Sequence, residues 1–318
     1  MKHCCVIGGA GFLGSHVVEA LTARGRRVTV VGRSPFARNS LPPGVRYISG
    51  NYGETHFLLE TLKGVDEIIN LSYSTVPSTS FDDPVQDILA NLPAAVGLFD
   101  AASSLRIKRV IIVSSGGTVY GPAQKIPILE EHPTNPISPY GVTKLAIEKY
   151  GQMYMKLKDL PIVTVRPSNA FGERQKPFAG QGFVATAMAS VLRKQEIFLY
   201  GRSGTVRDYV HVTDVATGIV AALDSGKLGA IYNIGSGEGR SNSEVLDAIH
   251  PLAQAAGLEP RVTILPARQF DVEVNTLDSR KLSQDTGWKA KVPFQVGIER
   301  TWNWFMNTFQ QERMQKAS

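Results

Sequence analysis

The chain has 318 residues, 43% of them hydrophobic and 19% charged, and its formal net charge is +6. This composition is typical of a globular protein with a large core and excludes a disordered or collagen-like chain. No apolar run approaches the ~20 residues that a membrane-spanning helix needs. Basic residues are interspersed with acids, which argues against nucleic acid or a membrane as a partner and leaves phosphorylated small molecules.

The two cysteines, Cys4 and Cys5, are neighbours in the first predicted strand, where a disulfide between them would be strained. We therefore interpret both as packing residues in a chain without a disulfide framework. The charged segment before Gly8 is too short for a signal peptide. Together these features predict a cytoplasmic protein.

The first half of the sequence alternates short apolar runs with helix-length stretches. Strands are predicted at Cys4 to Ile7, Val28 to Val31, Val45 to Ile48, Glu67 to Leu71 and Val110 to Val113. Continuous β-branched strands separated by helices need apolar neighbours on both faces, so the pattern predicts a Rossmann-type, doubly wound parallel α/β sheet.

Proline and glycine become frequent after Thr164, which indicates shorter, less regular elements. We predict a Rossmann domain over residues 1–165 and a smaller, mixed α/β C-terminal lobe. This lobe occupies mainly residues 166–318, with some segments returning to the first domain.

A glycine-rich segment, GGAGFLG at residues 8–14, follows the first strand and opens a predicted helix. Gly8, Gly11 and Gly14 are spaced G-x-x-G-x-x-G, which suits a tight turn, a close approach of backbone to a pyrophosphate and a helix–strand contact. The helix N-terminus would bind the pyrophosphate through its free N–H groups and its dipole. The segment therefore predicts a dinucleotide site that includes Phe12 and Leu13.

The second strand ends in Val31-Gly32-Arg33-Ser34, where dinucleotide sites that bind the free ribose hydroxyls carry an acid. Arg33 instead offers a planar guanidinium suited to the 2′-phosphate of NADP, with Ser34 beside it. The alternative is a solvent-facing arginine in a loop. The cofactor is therefore NAD or NADP, and Arg33 favours NADP.

A Y-x-x-x-K motif, formed by Tyr140 and Lys144, begins a predicted helix and places both side chains on one face. A neighbouring ammonium lowers the pKa of a phenol by roughly one to three units, which would make Tyr140 a general base near neutral pH. Ser114, Ser115 and Thr118 follow the strand upstream and supply hydroxyl groups.

Five motifs in this order resemble the extended short-chain dehydrogenase/reductase family. They are GGAGFLG at 8–14, SSGGTVYG at 114–121, SPYGVTK at 138–144, RPSNAFG at 166–172 and VRDYVHVTDVA at 206–216. The chain is most similar to the UDP-hexose 4-epimerases, because Thr118 stands where the sugar-nucleotide dehydratases carry a glutamate. The resemblance implies a nucleotide-sugar lobe, a bound nicotinamide cofactor, no metal, and epimerisation of a UDP-hexose through a 4-keto intermediate.

The resemblance also implies the binding residues. Beyond the glycine loop, the cofactor set comprises Arg33, Ser34, Asn51, Tyr52, Leu71, Ser72, Asn91, Ser114, Tyr140, Lys144 and Pro167. For the substrate, Asn169, Arg207 and Arg268 would bind the diphosphate, and Tyr200 and Asp271 would contact the uridine. The alternatives are a polar cap for Asn169 and surface ion pairs for the arginines. Asn275, at the position that closes the sugar pocket in related epimerases, would admit an N-acetyl or uronic acid group.

One position departs from the family's pattern. The family's catalytic serine or threonine, three positions before the valine of V-Y-G, is Gly116 here. Strand alternation would point Ser115 away from the site, so we expect Thr118 to supply the hydroxyl, with Ser115 as the alternative. Two competing functions follow. Arg33 favours an NADPH-dependent reductase of a nucleotide-linked 4-keto sugar, and Gly116 suggests a non-catalytic NADP sensor.

Related enzymes dimerise through a four-helix bundle. The helices predicted to begin near Pro84 and Ser138 carry apolar residues for such a bundle: Ile88, Leu92, Val96 and Leu98 on the first, Leu145, Ile147 and Met153 on the second. We therefore expect a homodimer. The alternative is burial of these residues against the sheet of the same chain.

Overall fold

Strands and helices alternate through most of the chain in the computed structural model, which describes residues 1–268 and 272–317. In chain order the elements are β1 (His3–Ile7), α1 (Phe12–Ala23), β2 (Arg27–Gly32), β3 (Arg46–Ser49), α2 (Thr55–Thr61), β4 (Glu67–Asn70), α3 (Pro84–Ser104), β5 (Arg109–Val113), α4 (Pro139–Lys158), β6 (Ile162–Pro167), β7 (Asn169–Phe171), α5 (Phe183–Leu192), β8 (Glu196–Tyr200), β9 (Val206–His211), α6 (Val212–Ser225), β10 (Ile231–Ile234), β11 (Gly239–Ser241), α7 (Asn242–Ala255), β12 (Arg261–Leu265), β13 (Val274–Asn275), α8 (Arg280–Thr286) and α9 (Phe294–Ala317).

Seven strands form the main sheet in the order β3-β2-β1-β4-β5-β6-β10. Each neighbouring pair in this sheet is parallel. Because the chain moves outward from β1 to β2 and β3 and then returns to β4 on the other side, a crevice opens beyond the carboxyl ends of β1 and β4. This topology confirms the predicted doubly wound, Rossmann-type sheet.

Helices cover both faces of the sheet. The α1 and α6 helices pack on one face, and α3 and α4 pack on the other. Alternation along β1 points Cys4 to the first face and Cys5 to the second, and both thiols are free and fully buried. Burial raises the pKa of Cys5 to about 12, so the packing role predicted for the cysteines fits their environment.

The segments after β6 build a second core from α5, α7 and α9. Two small sheets accompany it: β7, β9, β11 and β13 form one, and β8 pairs with β12 in the other. The β10 strand lies in the main sheet, although it falls within residues 166–318. The β6 strand runs from Ile162 to Pro167 across the expected boundary, and the division of the chain at residue 165 stays a prediction.

The α3 and α4 helices pack against each other and expose apolar side chains on their outer surface. Two of the residues predicted for an interface, Leu98 and Ile147, are wrong for that role because they are buried in the core beneath the helices. The exposed set instead includes Val85, Ile88, Leu89, Val142, Met153 and Leu157. Within the described residues, no helix is long and apolar enough to cross a membrane.

Candidate active site

Two adjoining cavities open where β1, β4 and β5 end. The larger, of about 460 Å³, and the smaller, of about 210 Å³, share Gly8, Gly11, Leu71 and Tyr73 in their walls. They lie at the crevice where the strand order reverses, which is where open α/β sheets bind ligands. The predicted site residues that line the larger cavity are Phe12, Leu13, Gly14, Ser114, Ser115, Thr118, Tyr140, Lys144, Pro167, Asn169 and Arg207, and those that line the smaller are Arg33, Ser34, Tyr52 and Ser72.

The glycine loop brings backbone close to both cavities. Gly8 has a φ of 81°, in the left-handed region that favours glycine. A Cβ on Gly14 would lie 2.2 Å from the Gly8 carbonyl oxygen, so no side chain fits there. Gly11 caps the N-terminus of α1, whose first N–H groups have no partners within the helix. The loop therefore fits the pyrophosphate of a dinucleotide cofactor.

Two exposed arginines, Arg33 and Arg38, border the smaller cavity. Beside them, the Tyr47 hydroxyl donates to the Ser34 carbonyl at 2.7 Å and lies 2.6 Å from the position of a Cβ on Gly32. A side chain in place of Gly32 would therefore require the Tyr47 ring to shift. Two guanidinium groups at this end suit a phosphate dianion.

The first turn of α4 presents Tyr140 and Lys144 to the larger cavity. The Ser138 hydroxyl caps the helix by accepting a backbone N–H at 3.1 Å, and the Tyr140 N–H donates to the Ser80 hydroxyl at 3.2 Å. One turn later, the Lys144 ammonium donates to the Val113 carbonyl at 3.0 Å and is almost completely buried. Helix capping and the end of β5 thus fix both members of the Y-x-x-x-K motif.

Burial dominates the protonation of this pair. The pKa of the Tyr140 phenol is raised by burial and then by the Asp87 carboxylate, whereas a hydrogen bond with Ser115 acts in the opposite direction. Burial lowers the pKa of Lys144 to about 8, against the carboxylates of Glu148 and Asp87. The expectation that Lys144 lowers the phenol pKa is wrong, because burial outweighs an ammonium 5.6 Å from the ring centroid. Near neutral pH the site therefore holds a protonated phenol beside an ammonium that is easily deprotonated.

The turn after β5 decides which hydroxyl meets Tyr140. The strand ends at Val113, and the chain then turns so that the N–H of Val119 donates to the Ser115 carbonyl at 3.2 Å. Extended alternation therefore does not reach Ser115, which lines the larger cavity together with Tyr140 and whose side chain lowers the pKa of the phenol against the effect of burial. The expectation that Ser115 points away from the site is wrong.

Gly116 faces away from Tyr140. A Cβ at this position would lie 2.4 Å from the Leu277 side chain and 2.9 Å from the Arg166 carbonyl oxygen, so a catalytic hydroxyl has no place here. Thr118 lines the larger cavity, and its buried hydroxyl has no hydrogen-bond partner among the described residues. It remains available to a ligand, whereas Ser115 is the hydroxyl that lowers the pKa of the phenol.

The residues predicted for the substrate fall into two groups. Asn169 and Arg207 line the larger cavity. The Arg268 guanidinium stacks over the Tyr200 ring at 4.1 Å, and these two side chains lie together outside the walls of both cavities. Asp271 lies outside the described residues. In the part of the chain that the structure describes, no three His, Cys, Asp or Glu residues are grouped to hold a metal.

The sequence profile described as the NAD dependent epimerase/dehydratase family matches residues 4–235, more than half of the chain. The chain belongs to this family. This membership confirms the resemblance carried by the five sequence motifs.

Individual members of the family are similar over nearly their whole length. The UDP-glucose 4-epimerase of Lacticaseibacillus casei is 31% identical over 323 residues, which cover 95% of this chain and 96% of that protein. The Thermotoga maritima UDP-glucose 4-epimerase, solved with UDP-glucose, has a TM-score of 0.91 at 28% identity, with 96% of this chain and 99% of that chain covered. The Thermus thermophilus enzyme, solved as a UDP-glucose 4-epimerase complex with NAD, has a TM-score of 0.87 at 35% identity and the same coverage.

Asn275 contacts the turn after β5 in this family member. Its amide nitrogen donates to the Gly116 carbonyl at 3.0 Å, and the side chain is buried outside the walls of both cavities. Its amide nitrogen holds the turn after β5, and the expected role of Asn275 in closing the sugar pocket stays a prediction.

Two predicted cofactor residues also lie outside the cavity walls. Asn91 is buried on α3, where it accepts the Ser74 N–H at 2.8 Å and donates to the Asp87 carbonyl at 2.7 Å. It holds the loop after β4 against α3. Asn51 is exposed and accepts the Gly53 N–H at 3.1 Å. Each supports a neighbouring backbone segment, and their roles toward the cofactor stay predictions.

Several residues of the site belong to no sequence motif that would predict them. Tyr73 lines both cavities, and Ser80 binds the first turn of α4. The only signal for Arg38 is its position five residues after Arg33 in an irregular segment. Asp87 is fully buried beside Tyr73, which marks it only once the fold is known.

Proposed function

We propose that this chain is a UDP-hexose 4-epimerase that works through a 4-keto intermediate with a bound nicotinamide cofactor. The observation that carries the proposal is the convergence of Tyr140, Lys144 and Ser115 with the glycine loop on one cavity. The same cavity reaches Asn169 and Arg207, whose side chains are suited to a diphosphate. The relatives from Thermotoga maritima and Thermus thermophilus, solved with UDP-glucose and with NAD, support these two ligand classes.

Each residue has one task in this proposal. Tyr140 exchanges a proton with the 4-hydroxyl of the sugar, and Ser115 shares the hydrogen bond to that oxygen. The Lys144 ammonium stabilises negative charge on the phenol oxygen. Asn169 and Arg207 hold the diphosphate, so that the sugar can turn within the cavity between its two C4 configurations. A bound nicotinamide supplies reversible hydride chemistry at C4.

The proposed cofactor is NADP rather than NAD. Arg33 and Arg38 would contact its 2′-phosphate, and β2 ends in Gly32-Arg33 without the acidic side chain that would bind a free ribose hydroxyl. The alternative, a pair of solvent-facing arginines, predicts no difference between the two cofactors.

A panel of UDP-sugars tests the proposed reaction. The protein is incubated separately with UDP-glucose, UDP-galactose, UDP-N-acetylglucosamine and UDP-glucuronic acid, and the C4 epimers are separated by chromatography. We expect at least one sugar to reach an equilibrium with its C4 epimer without net change in the cofactor. Acceptance of the N-acetylated and uronic acid forms remains a prediction. Absence of every epimer would contradict the proposal.

The arginine pair favours a second candidate, an NADPH-dependent reductase of a nucleotide-linked 4-keto sugar. An epimerase regenerates its cofactor at each turnover and can retain it, whereas a reductase must release it. Cofactor that remains bound after purification and dilution supports the epimerase, and rapid exchange supports the reductase. The larger cavity holds the hydroxyls of Ser115 and Thr118 as well as Tyr140, which argues against the non-catalytic sensor that Gly116 suggested.

We also propose a cytoplasmic homodimer that associates through α3 and α4. The support is the exposed apolar surface of these helices, which includes Leu89 at 62% and Leu157 at 67% exposure. Surfaces of this kind mark sites of association. A strictly monomeric mass at micromolar concentration, measured by light scattering, would contradict the dimer.

A further inference from the structure

Tyr73 contacts both members of the Y-x-x-x-K motif. It follows β4, and its ring lies 4.2 Å from the Lys144 ammonium. The same ring packs edge-to-face against the Tyr140 ring, with centroids 4.8 Å apart. Because an aromatic face attracts a cation, Tyr73 holds the ammonium beside the phenol.

Asp87 on α3 holds Tyr73 in turn. The Tyr73 hydroxyl donates to the two oxygens of the Asp87 carboxylate at 3.3 and 3.4 Å, and the Thr75 hydroxyl donates to the same carboxylate. The carboxylate is fully buried. Since both donors are neutral, they solvate the charge of Asp87 but do not neutralise it. A buried charge is costly without an opposite charge nearby, and the Lys144 ammonium lies over the ring of the same Tyr73.

The other carboxylate near Lys144 already has a partner. Glu148 lies one turn further along α4, and its two oxygens accept from the Arg166 guanidinium at 3.0 and 2.6 Å. Its charge is therefore matched within a buried, bidentate pair. Among the described residues, only the hydroxyls of Tyr73 and Thr75 donate to the Asp87 carboxylate, so its charge is the one left unmatched near the lysine.

The protonation of the neighbouring groups agrees with this geometry. After burial, the Asp87 carboxylate is the next cause that raises the pKa of both Tyr73 and Tyr140, and a hydrogen bond with Ser115 acts against it at Tyr140. At Lys144, burial lowers the pKa, and the carboxylates of Glu148 and Asp87 oppose it. One buried charge thus acts on three titrating groups.

We propose that Tyr73 and Asp87 are positioning residues of the active site: Tyr73 holds the Lys144 ammonium beside Tyr140, and Asp87 is the buried counter-charge that keeps this ammonium protonated. The inference rests on the proposed roles of Tyr140 and Lys144. Its direct consequence, however, is a property of the protein itself and can be measured without any sugar nucleotide.

The test is an NMR titration of the full chain carrying lysine labelled at Cε and Nζ. The Lys144 resonance is assigned by its loss in Lys144→Arg, and its midpoint is expected at about 8. Asp87→Asn should lower this midpoint by about one pH unit. The matched control is Asp100→Asn, because Asp100 lies on the same helix and accepts a hydrogen bond from the Tyr154 hydroxyl at 2.7 Å, and this change should leave the midpoint unaltered.

Tyr73 variants provide the second arm. Tyr73→Leu removes the ring and should lower the Lys144 midpoint. Tyr73→Phe keeps the ring, so its Lys144 midpoint should stay closer to that of the unmutated protein. Circular dichroism establishes that each variant is folded. An unchanged midpoint in Asp87→Asn, or in Tyr73→Leu if Asp87→Asn does not fold, overturns the proposal. If the Lys144 midpoint shifts as expected in the variants but the unmutated protein epimerises no UDP-sugar, only the proposed function is contradicted.

Discussion

The two ends of the proposed cofactor site hold their functional groups in different ways. At the larger cavity, Tyr140 and Lys144 belong to a buried network in which Ser115, Tyr73 and Asp87 each contact another member. At the smaller cavity the two arginines are exposed, and the Arg38 guanidinium reaches the Ser34 hydroxyl only at 3.4 Å. Burial at one end therefore fixes geometry and proton affinity, whereas the other end offers mobile surface charge.

This difference separates two kinds of effect. A substitution at the buried end should change the rate of the chemical step, because distances and pKa values there depend on neighbouring groups. A substitution at the exposed end should change cofactor affinity and leave stability nearly unaltered, because exposed side chains contribute little to folding. The following predictions test this separation, in order of expected size.

The largest effect is expected for Tyr140→Phe. Removal of the proton-accepting oxygen should lower turnover by about a thousandfold, while cofactor binding stays close to normal because the ring is retained. Turnover is measured with the UDP-sugar that the panel identifies, and binding by fluorescence titration. Residual turnover above a few per cent would remove Tyr140 from the proposed role.

The next effect distinguishes the two candidate hydroxyls. Ser115→Ala should lower turnover by about a hundredfold, because the hydroxyl that lowers the pKa of the phenol is lost, and Thr118→Val should lower it by less than about tenfold. The pair is matched, since each change deletes one hydroxyl from the same cavity. The reverse order of effects would show that strand alternation, rather than the turn after β5, describes this segment.

At the exposed end, Arg33 and Arg38 should control the choice of cofactor. A charge-assisted contact of roughly 1.5 to 3 kcal/mol corresponds to about a ten- to hundredfold preference for NADP over NAD. Arg33→Ala should remove most of this preference, and the further change Arg38→Ala should remove the rest, with no shift in Tm. Equal affinity of the unmutated protein for the two cofactors would dismiss the NADP proposal.

The smallest effect expected is the change of turnover with pH. Because burial lowers the pKa of Lys144 to about 8, the ammonium is present below that pH and is lost above it, so turnover should fall as pH rises through this value. Binding of 2′,5′-ADP, which reports the exposed end, should stay level over the same range because guanidinium groups keep their charge. Constant turnover across this range would contradict a role for the Lys144 charge.

The parts of the fold and site that the sequence predicted are those set by local pattern. The parallel sheet follows from continuous apolar strands such as Val110 to Val113, and the dinucleotide loop follows from three glycines that admit no side chain. The Y-x-x-x-K motif places Tyr140 and Lys144 one helical turn apart wherever the helix lies. Each of these inferences depends only on residues close together in the sequence, so contacts between distant segments do not change it.

The parts that the sequence did not predict depend on contacts between distant segments. Ser115 meets Tyr140 because the chain leaves the strand and turns, and Asn275 binds the Gly116 carbonyl across 159 positions. The contact of Tyr73 with Lys144 joins the end of β4 to α4. Periodicity carries no information about such pairings, so the expected orientation of Ser115 was wrong and the contacts of Asn275 and Tyr73 were missed.

The central claim is that the larger cavity epimerises a UDP-hexose at C4 while its cofactor stays bound, and isotope retention tests it most directly. The protein is incubated, without added cofactor, with the UDP-sugar that the panel identifies, labelled with deuterium at C4, and the products are analysed by chromatography and mass spectrometry. The account predicts the C4 epimer with the deuterium retained. Absence of the C4 epimer, or loss of the label from it, would contradict the account.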